Sequence, residues 1–307
     1  QDRKYLGEAF KKAGVDATIV NAEGDPATQR SQAEQAITNG AKVLLLVDLD
    51  PGSGSAIIAN AKKSGVKVID YDRLTLGGGA DYYVSFDNTK VGQLQGQGLV
   101  KCLKGKTKPV VAELNGSPTD NNATLFANGY NSVLNPLYKN GTYVKGPNQS
   151  VPDWDNQKAL TIYEQMLQST SNKIDGVLAA NDGLANSVIS AQKARKLAQI
   201  PVTGQDATAQ GIQNILSGDQ CMTVYKAVRA EAAAASALAI ALAKGQTPTT
   251  TATTDNKGTK TPSVLLTPVA VTKDNINDTV IKDGFLTTKE ICSGKYAQEC
   301  KDAGITS

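Results

Sequence analysis

The stretch Lys42-Val43-Leu44-Leu45-Leu46-Val47-Asp48, followed by Leu49-Asp50-Pro51-Gly52-Ser53-Gly54, decides the fold. Its unbroken aliphatic run is the mark of a strand buried on both faces of a parallel sheet. A helix over about 54–64 follows, ends at Gly65, and leads into another strand at 66–70. Upstream, residues 15–21 alternate apolar and polar as a strand does. Asp25-Pro26 then supplies an N-cap and a proline at the first helical position, opening a helix that runs to about Asn39-Gly40. Downstream, 82–86 reads as a short strand and 88–104 as a helix.

The second half keeps the rhythm. Strands are expected at 109–114, 174–180, 200–204 and 222–225, and helices at 122–134, 155–169, 183–196, 208–216 and 227–244. The last helix is alanine-rich, which suits close packing. Residues 245–262 are rich in Thr with little apolar content and read as a surface excursion with a short edge strand. Residues 264–271 read as a final strand pair around Pro268, and the chain beyond Lys273 as irregular or short-helical. Alternating units of this kind specify an α/β fold of doubly wound parallel sheets. The strands are too many for one ordinary sheet, and 307 residues suit two domains. The expected architecture is therefore two lobes.

Composition narrows the function. Histidine is absent, which removes His-based triads, His general bases and His metal ligands together. Lys+Arg 32 against Asp+Glu 29 leaves a net charge of +3 with no dense basic block, so there is no broad footprint for nucleic acid. The aliphatic run at 43–47 is far short of the ~20 apolar residues that a spanning helix needs. Four cysteines occur without a CxxC motif. The even count permits full pairing, as Cys292–Cys300, which enclose a short loop, and Cys102–Cys221. Cys102, within a helical stretch, also reads as a buried apolar thiol. Disulfides would place the chain in an oxidising compartment. Pro51-Gly52-Ser53-Gly54 has Ile57 where a dinucleotide loop needs its third glycine, and Gly77-Gly78-Gly79 reads as a turn.

In open α/β sheets, ligands sit beyond the carboxyl ends of the strands. Those ends carry Asp48-Leu49-Asp50, Asp70-Tyr71-Asp72-Arg73, Asn115 with Asp120-Asn121-Asn122 beyond it, Asn181-Asp182, and Gln205-Asp206. Carboxylates, amides and a guanidinium together satisfy hydroxyls that both donate and accept, as those of a sugar do. Trp154, the single tryptophan, offers an aromatic plate for the C–H face of a sugar ring. The competing reading is plain: Asp and Asn after a strand also cap the next helix, Asp72-Arg73 can be a local ion pair, and Trp154 can simply pack.

The segments Tyr71-Asp72-Arg73, Tyr83-Val84-Ser85-Phe86-Asp87-Asn88, Gly116-Ser117-Pro118-Thr119-Asp120-Asn121-Asn122-Ala123, Ala180-Asn181-Asp182, Gly204-Gln205-Asp206-Ala207 and Met222-Thr223-Val224-Tyr225-Lys226 carry a resemblance. So do Leu266-Thr267-Pro268 and Thr279-Val280-Ile281-Lys282-Asp283-Gly284-Phe285. Spread in order over nearly the whole chain, they resemble the type I periplasmic sugar-binding proteins of ABC importers. The resemblance implies two doubly wound parallel-sheet lobes joined by a multi-strand hinge, with 1–114 plus 227–260 in the first and 115–226 plus 261–307 in the second. The resemblance implies a monomeric extracytoplasmic receptor that captures a monosaccharide, D-xylose or a related aldopentose, and delivers it to a membrane permease. It implies no reaction, no cofactor and no metal, and contact with the membrane only through the permease or a lipid anchor. It implies sugar contacts from Asp72, Arg73, Asp120, Asn122, Trp154, Asn181, Asp206 and Lys226. The family opens with a central strand and a sugar-touching loop before its first helix, so an upstream segment is expected. The sugar-responsive effector domain of a LacI-type repressor shares the architecture and is the alternative; it would need a helix-turn-helix module.

Overall fold

Several helix starts in this chain are set by side chains that accept the first orphan amides. The first helix, α1 (Asp2–Ala13), ends at Gly14 in the left-handed region, φ 64°. Asp25 accepts the amides of Ala27 and Thr28 at 3.0 and 3.3 Å, and Pro26 opens α2 (Pro26–Thr38). The same device recurs after β1 (Val43–Leu46), where the Asp50 carboxylate accepts Gly52 and Ser53 and Pro51 opens α3 (Pro51–Lys63). Strands β2 (Lys67–Tyr71) and β3 (Tyr82–Phe86) follow, and β1, β2 and β3 pair in parallel.

The computed structural model describes residues 1–305. They form two units. Unit 1 is Gln1–Asp87, Thr119–Asn122 and Ala227–Thr267; unit 2 is Asn88–Pro118, Ala123–Lys226 and the described residues from Pro268 onward.

In unit 2, α4 (Asn88–Cys102) precedes β4 (Val110–Asn115), α5 (Asn121–Lys139) and β5 (Val144–Ser150). Then come α6 (Asn156–Ser169), β6 (Gly176–Ala179), α7 (Asp182–Ala194), α8 (Ala209–Ser217) and β7 (Thr223–Tyr225). The parallel sheet runs β5-β4-β6. One core cluster packs Ala112, Leu114, Tyr163, Leu184 and Val188; another packs Leu99, Val111, Phe126, Tyr130 and Leu134. Leu99, Leu114 and Leu134 are fully buried, each contributing on the order of 2 kcal/mol. Helix α4 packs against β6 and β7, and Cys102 at its end is bonded to Cys221.

The chain returns to unit 1 through α9 (Val228–Ala243), whose Ala232, Ala235 and Ala239 let it lie close over Ile69 and Val84. Strands β8 (Ala252–Asn256) and β9 (Thr259–Leu266) complete the sheet β1-β2-β3-β9-β8, with β8 antiparallel. Strand β10 (Val269–Val271), in unit 2, pairs antiparallel with β7. The remaining segment is a set of short helical turns closed by the Cys292–Cys300 disulfide. Among the described residues, no helix is long and apolar enough to cross a membrane.

Local expectations are corrected in several places. Residues 15–21 form no strand, because no ladder partner meets them among the described residues; Val20 is 57% exposed. The run at 43–46 is a strand but only half-buried, since β1 pairs with β2 alone among the described strands. Residues 200–204 make a single bridge, Val177 to Val202, instead of a strand. Residues 245–262 contribute more than an excursion: β9 lies between β3 and β8 inside the sheet. Strand β5 was not expected, because its exposed, polar sequence VKGPNQS lacks any apolar pattern.

Candidate functional site

In unit 1, β2 ends at Tyr71 and the chain turns at Asp72, which takes φ 60°. A non-glycine residue holds that conformation only where its surroundings fix it. Here the Asp72 amide donates to Val84 O at 2.8 Å. Its carbonyl accepts from Ser85 Oγ at 2.7 Å, Asn122 Nδ2 at 3.0 Å and Tyr83 OH at 3.3 Å. This turn sets the backbone from which Arg73 extends.

The Arg73 guanidinium is 26% exposed and Nη1 donates to Asp48 O at 3.3 Å. Its Nε lies 3.1 Å from Asp120 Oδ2, an ion pair without the alignment of a hydrogen bond. Asp120 Oδ1 accepts the Asn122 amide at 2.9 Å. Asp72, Arg73, Asp120 and Asn122 are thus one connected group, although 119–122 is remote in sequence from 72–73. Two buried acids lie on the same strand ends. Burial, with the Asp50 charge nearby, pushes the Asp48 carboxyl up to about 6. Burial likewise pushes Asp70 up to about 7, against the bonds it accepts from Thr75 N and Oγ1 at 2.8 and 2.9 Å.

The other expected residues belong to unit 2. Trp154 lies in the turn Pro152–Trp154, with φ 56° after Asp153 at φ 60°. The Asp153 amide donates to Ser117 Oγ at 3.2 Å, tying this turn to the end of β4. The indole is edge-on to Phe126, 6.4 Å between centroids, and lies so close over Gly116 that a Cβ there would collide with it. That close approach explains the glycine. Asn181 caps α7, its Oδ1 accepting from Leu184 N at 2.9 Å, so the capping role weighed in the sequence is real at this position. Asp206 takes φ 96°, and its Oδ1 is 3.9 Å from Lys226 Nζ. Lys226 is 12% exposed, so its ammonium is not the solvated charge that its place before a helix suggests.

Some supporting residues gave no sequence signal. The buried Gln95 on α4 donates through Nε2 to Ala180 O at 3.0 Å and Gly204 O at 3.2 Å, tying the end of β6 to the segment after Val202. The buried Glu113 accepts from Tyr138 OH at 3.1 Å and Asn148 Nδ2 at 2.5 Å, Asn148 Oδ1 accepts from Asn115 Nδ2 at 2.6 Å, and Tyr130 OH donates to Asn115. Burial pushes the Glu113 carboxyl up. A glutamine inside a helix, or a glutamate inside an apolar strand, shows such a role only once its partners are known. Among the described residues, no group of three or more Cys, Asp or Glu is placed to hold a metal ion.

Both units thus end their strands in turns held by side-chain hydrogen bonds and lined with donors and acceptors suited to a small polar ligand. With parallel sheets covered by helices, this is the build of a solute-binding protein. The chain belongs to the periplasmic binding protein family, whose domain model matches residues 1–247. It is 39% identical over 292 residues to the D-xylose-binding periplasmic protein of Haemophilus influenzae, covering 95% of this chain and 87% of that protein. It is 35% identical to the multiple sugar-binding periplasmic protein SbpA of Azospirillum brasilense, covering 93% and 85%. A crystal structure of an ABC transporter solute-binding protein from Clostridium phytofermentans with bound β-D-glucose matches with a TM-score of 0.89 at 31% identity, over 95% of each chain.

Proposed function

We propose that this chain is an extracytoplasmic receptor that binds a monosaccharide, with D-xylose or a related aldopentose as its ligand, for import by an ABC transporter. The observation that carries this reading is the unit 1 group, in which a partly exposed guanidinium is fixed by the Asp120 carboxylate and the Asp48 carbonyl. A guanidinium so held is a rigid fork of donors, and hydrogen bonds from a charged group to a hydroxyl contribute about 1.5–3 kcal/mol each. Asp72, Arg73, Asp120 and Asn122 from unit 1 and Trp154, Asn181, Asp206 and Lys226 from unit 2 are the proposed sugar contacts. Asn181, its oxygen occupied by the cap, offers its amide nitrogen as donor. The Trp154 ring stacks on the apolar face of the sugar.

The names of the relatives support this class of ligand, and they span xylose and multiple sugars. Discrimination among epimers then rests on placement: a site built around one hydroxyl strongly rejects a sugar that leaves its buried polar groups unpaired. No reaction and no cofactor is part of this reading. The receptor acts as a monomer, free or lipid-anchored outside the cytoplasm, and presents its sugar to a membrane permease. The two disulfides suit such an oxidising compartment. Calorimetry of the purified chain against D-xylose, D-ribose, L-arabinose and D-glucose tests the reading. Saturable one-to-one binding of a pentose supports it, and the absence of heat with every sugar defeats it.

A further inference from the structure

The Asp182 carboxylate, in unit 2, accepts four hydrogen bonds, and Asp182 belongs to none of the proposed sugar contacts. It is buried at 2% exposure at the start of α7. Oδ1 accepts from Gln220 Nε2 and from Thr223 Oγ1, both at 2.8 Å. Oδ2 accepts from Thr208 N at 2.8 Å and from Thr208 Oγ1 at 3.1 Å. Its own amide donates to Gln205 O at 2.9 Å. Gly204 and Gly211 press against the carboxylate so closely that a Cβ at either would collide with it.

Three of these five bonds end on Gln205 and Thr208, which flank Asp206-Ala207, two consecutive non-glycine residues in the left-handed region at φ 96° and 50°; the other two end on Gln220 and Thr223, the latter bonded to the Ala207 amide. Such a turn is strained and persists only if its neighbours over-determine it. The Asp206 amide is held by Val224 O at 2.9 Å, and the Ala207 amide by Thr223 Oγ1 at 3.2 Å. The Thr223 hydroxyl is itself oriented by Asp182, so a continuous chain runs from the Asp182 carboxylate through Thr223 to the Ala207 amide. Thr208, on the other side of the turn, is gripped by Asp182 directly. An ordinary helix-start aspartate accepts from its own helix; this one accepts from residues 26 to 41 positions away.

We propose that Asp182 is a positioning residue: through Thr208, Thr223 and Gln220 it locks the left-handed turn at Asp206-Ala207 and so fixes the Asp206 carboxylate, with Lys226 beside it, for binding sugar. The sugar part rests on the reading above; the locking of the turn stands apart from it. The Asp206 charge acts on the Asp182 carboxyl, and Lys226 Nζ lies 3.9 Å from the Asp206 carboxylate. Asparagine at 182 keeps the shape but offers one oxygen to four donors, so a pair of them meets an NH2 group instead. Glutamate has no room between Gly204 and Gly211.

Amide hydrogen exchange and calorimetry with D-xylose on Asp182→Asn and Thr223→Val test the proposal. In Asp182→Asn, the amides of 206, 207 and 208 should exchange at least about tenfold faster, with β6 and α7 unchanged, and D-xylose should bind at least about tenfold more weakly. Thr223→Val, which removes the bonds to the Ala207 amide and to Asp182 Oδ1 but leaves the Thr208 and Gln220 bonds in place, should speed exchange at 207 and weaken binding less. Uniformly faster exchange over all of unit 2 would show a merely structural carboxylate and overturn the proposal, as would unchanged exchange at 206–208 in both variants. If Asp182→Asn does not fold, Thr223→Val decides. Wild-type protein giving no heat with any pentose or hexose would sink the sugar reading alone, and the exchange pattern would still judge the turn.

Discussion

Arg73 and Asp120 form an ion pair 3.1 Å long, between a residue just past β2 and one just ahead of α5. The carboxylate is 4% exposed and also accepts the Asn122 amide, so the guanidinium is held against a fixed partner. A guanidinium held in this way needs little further ordering to bind the proposed ligand. Arg73→Lys removes the planar fork, and Asp120→Asn removes the charge that fixes it. Each is expected to weaken D-xylose binding about 30–100-fold, the equivalent of about 2–3 kcal/mol for a charged hydrogen bond. Isothermal calorimetry measures this, and wild-type affinity in both variants would remove the pair from the site.

Trp154 is the single tryptophan, so intrinsic emission reports on one turn of the chain. It is partly exposed and edge-on to Phe126. Stacking on a sugar ring should change its emission on titration with D-xylose. Trp154→Phe should bind about threefold more weakly and Trp154→Ala about tenfold, given about 0.5–1.5 kcal/mol for an aromatic contact. Unchanged emission at saturation would place the indole outside the ligand's reach.

How much of this was legible in the sequence depends on whether the signal was local. Asp25-Pro26 and Asp50-Pro51 announce their helices because a cap and its amides are neighbours in the chain. Residues 200–204 look like a strand by content, yet strand pairing is a tertiary fact, and only Val202 makes a bridge. Strand β5 is hidden for the opposite reason: at the edge of its sheet it buries little, so nothing selects an apolar pattern. For the proposed site, the sequence pointed to Asp72, Arg73, Asp120 and Asp206 because polar residues there follow stretches of strand-like content. The Asn122 bond to Asp72 O spans 50 residues, and Asp182 reads as a helix-start residue until its distant donors are seen.

Three buried acids give the stability a defined pH dependence. Asp48 is pushed up to about 6, and Asp70 and Asp182 to about 7, in each case chiefly by burial. A carboxyl whose folded pKa lies above its unfolded value of about 3.9 binds its proton more tightly when folded. Its contribution is therefore greatest below about pH 4 and is lost as pH rises towards 7. Asp25, Asp155 and Asp255 are held low, chiefly by hydrogen bonds from Thr28, the Lys158 amide and the Gly258 amide. Those three lose their stabilisation only as pH falls through their own lowered pKa values, outside the window of interest. The melting temperature should accordingly rise between about pH 7.5 and 5. Asp70→Asn should flatten that slope; a slope of opposite sign in the wild type would contradict the assignment.

The two disulfides should differ in what they contribute. Cys102–Cys221 spans 119 residues and Cys292–Cys300 spans 8. Chain-entropy loss in the unfolded state scales with loop length, giving about 5 kcal/mol for the long loop and about 2.5 for the short one. Cys102→Ser with Cys221→Ser should lower the unfolding midpoint more than Cys292→Ser with Cys300→Ser. Non-reducing mass mapping that recovers any of these cysteines as a thiol would refute the pairing.

The central claim is that this chain binds a small neutral sugar, and isothermal calorimetry with D-xylose tests it most directly. The account predicts a saturable one-to-one isotherm that is weakened in Arg73→Lys, along with a stabilisation of about 4 kcal/mol when the sugar is present at about 1,000 times its Kd. A flat isotherm with D-xylose and with every other pentose and hexose at millimolar concentration, from protein that is folded and has both disulfides formed, would contradict it.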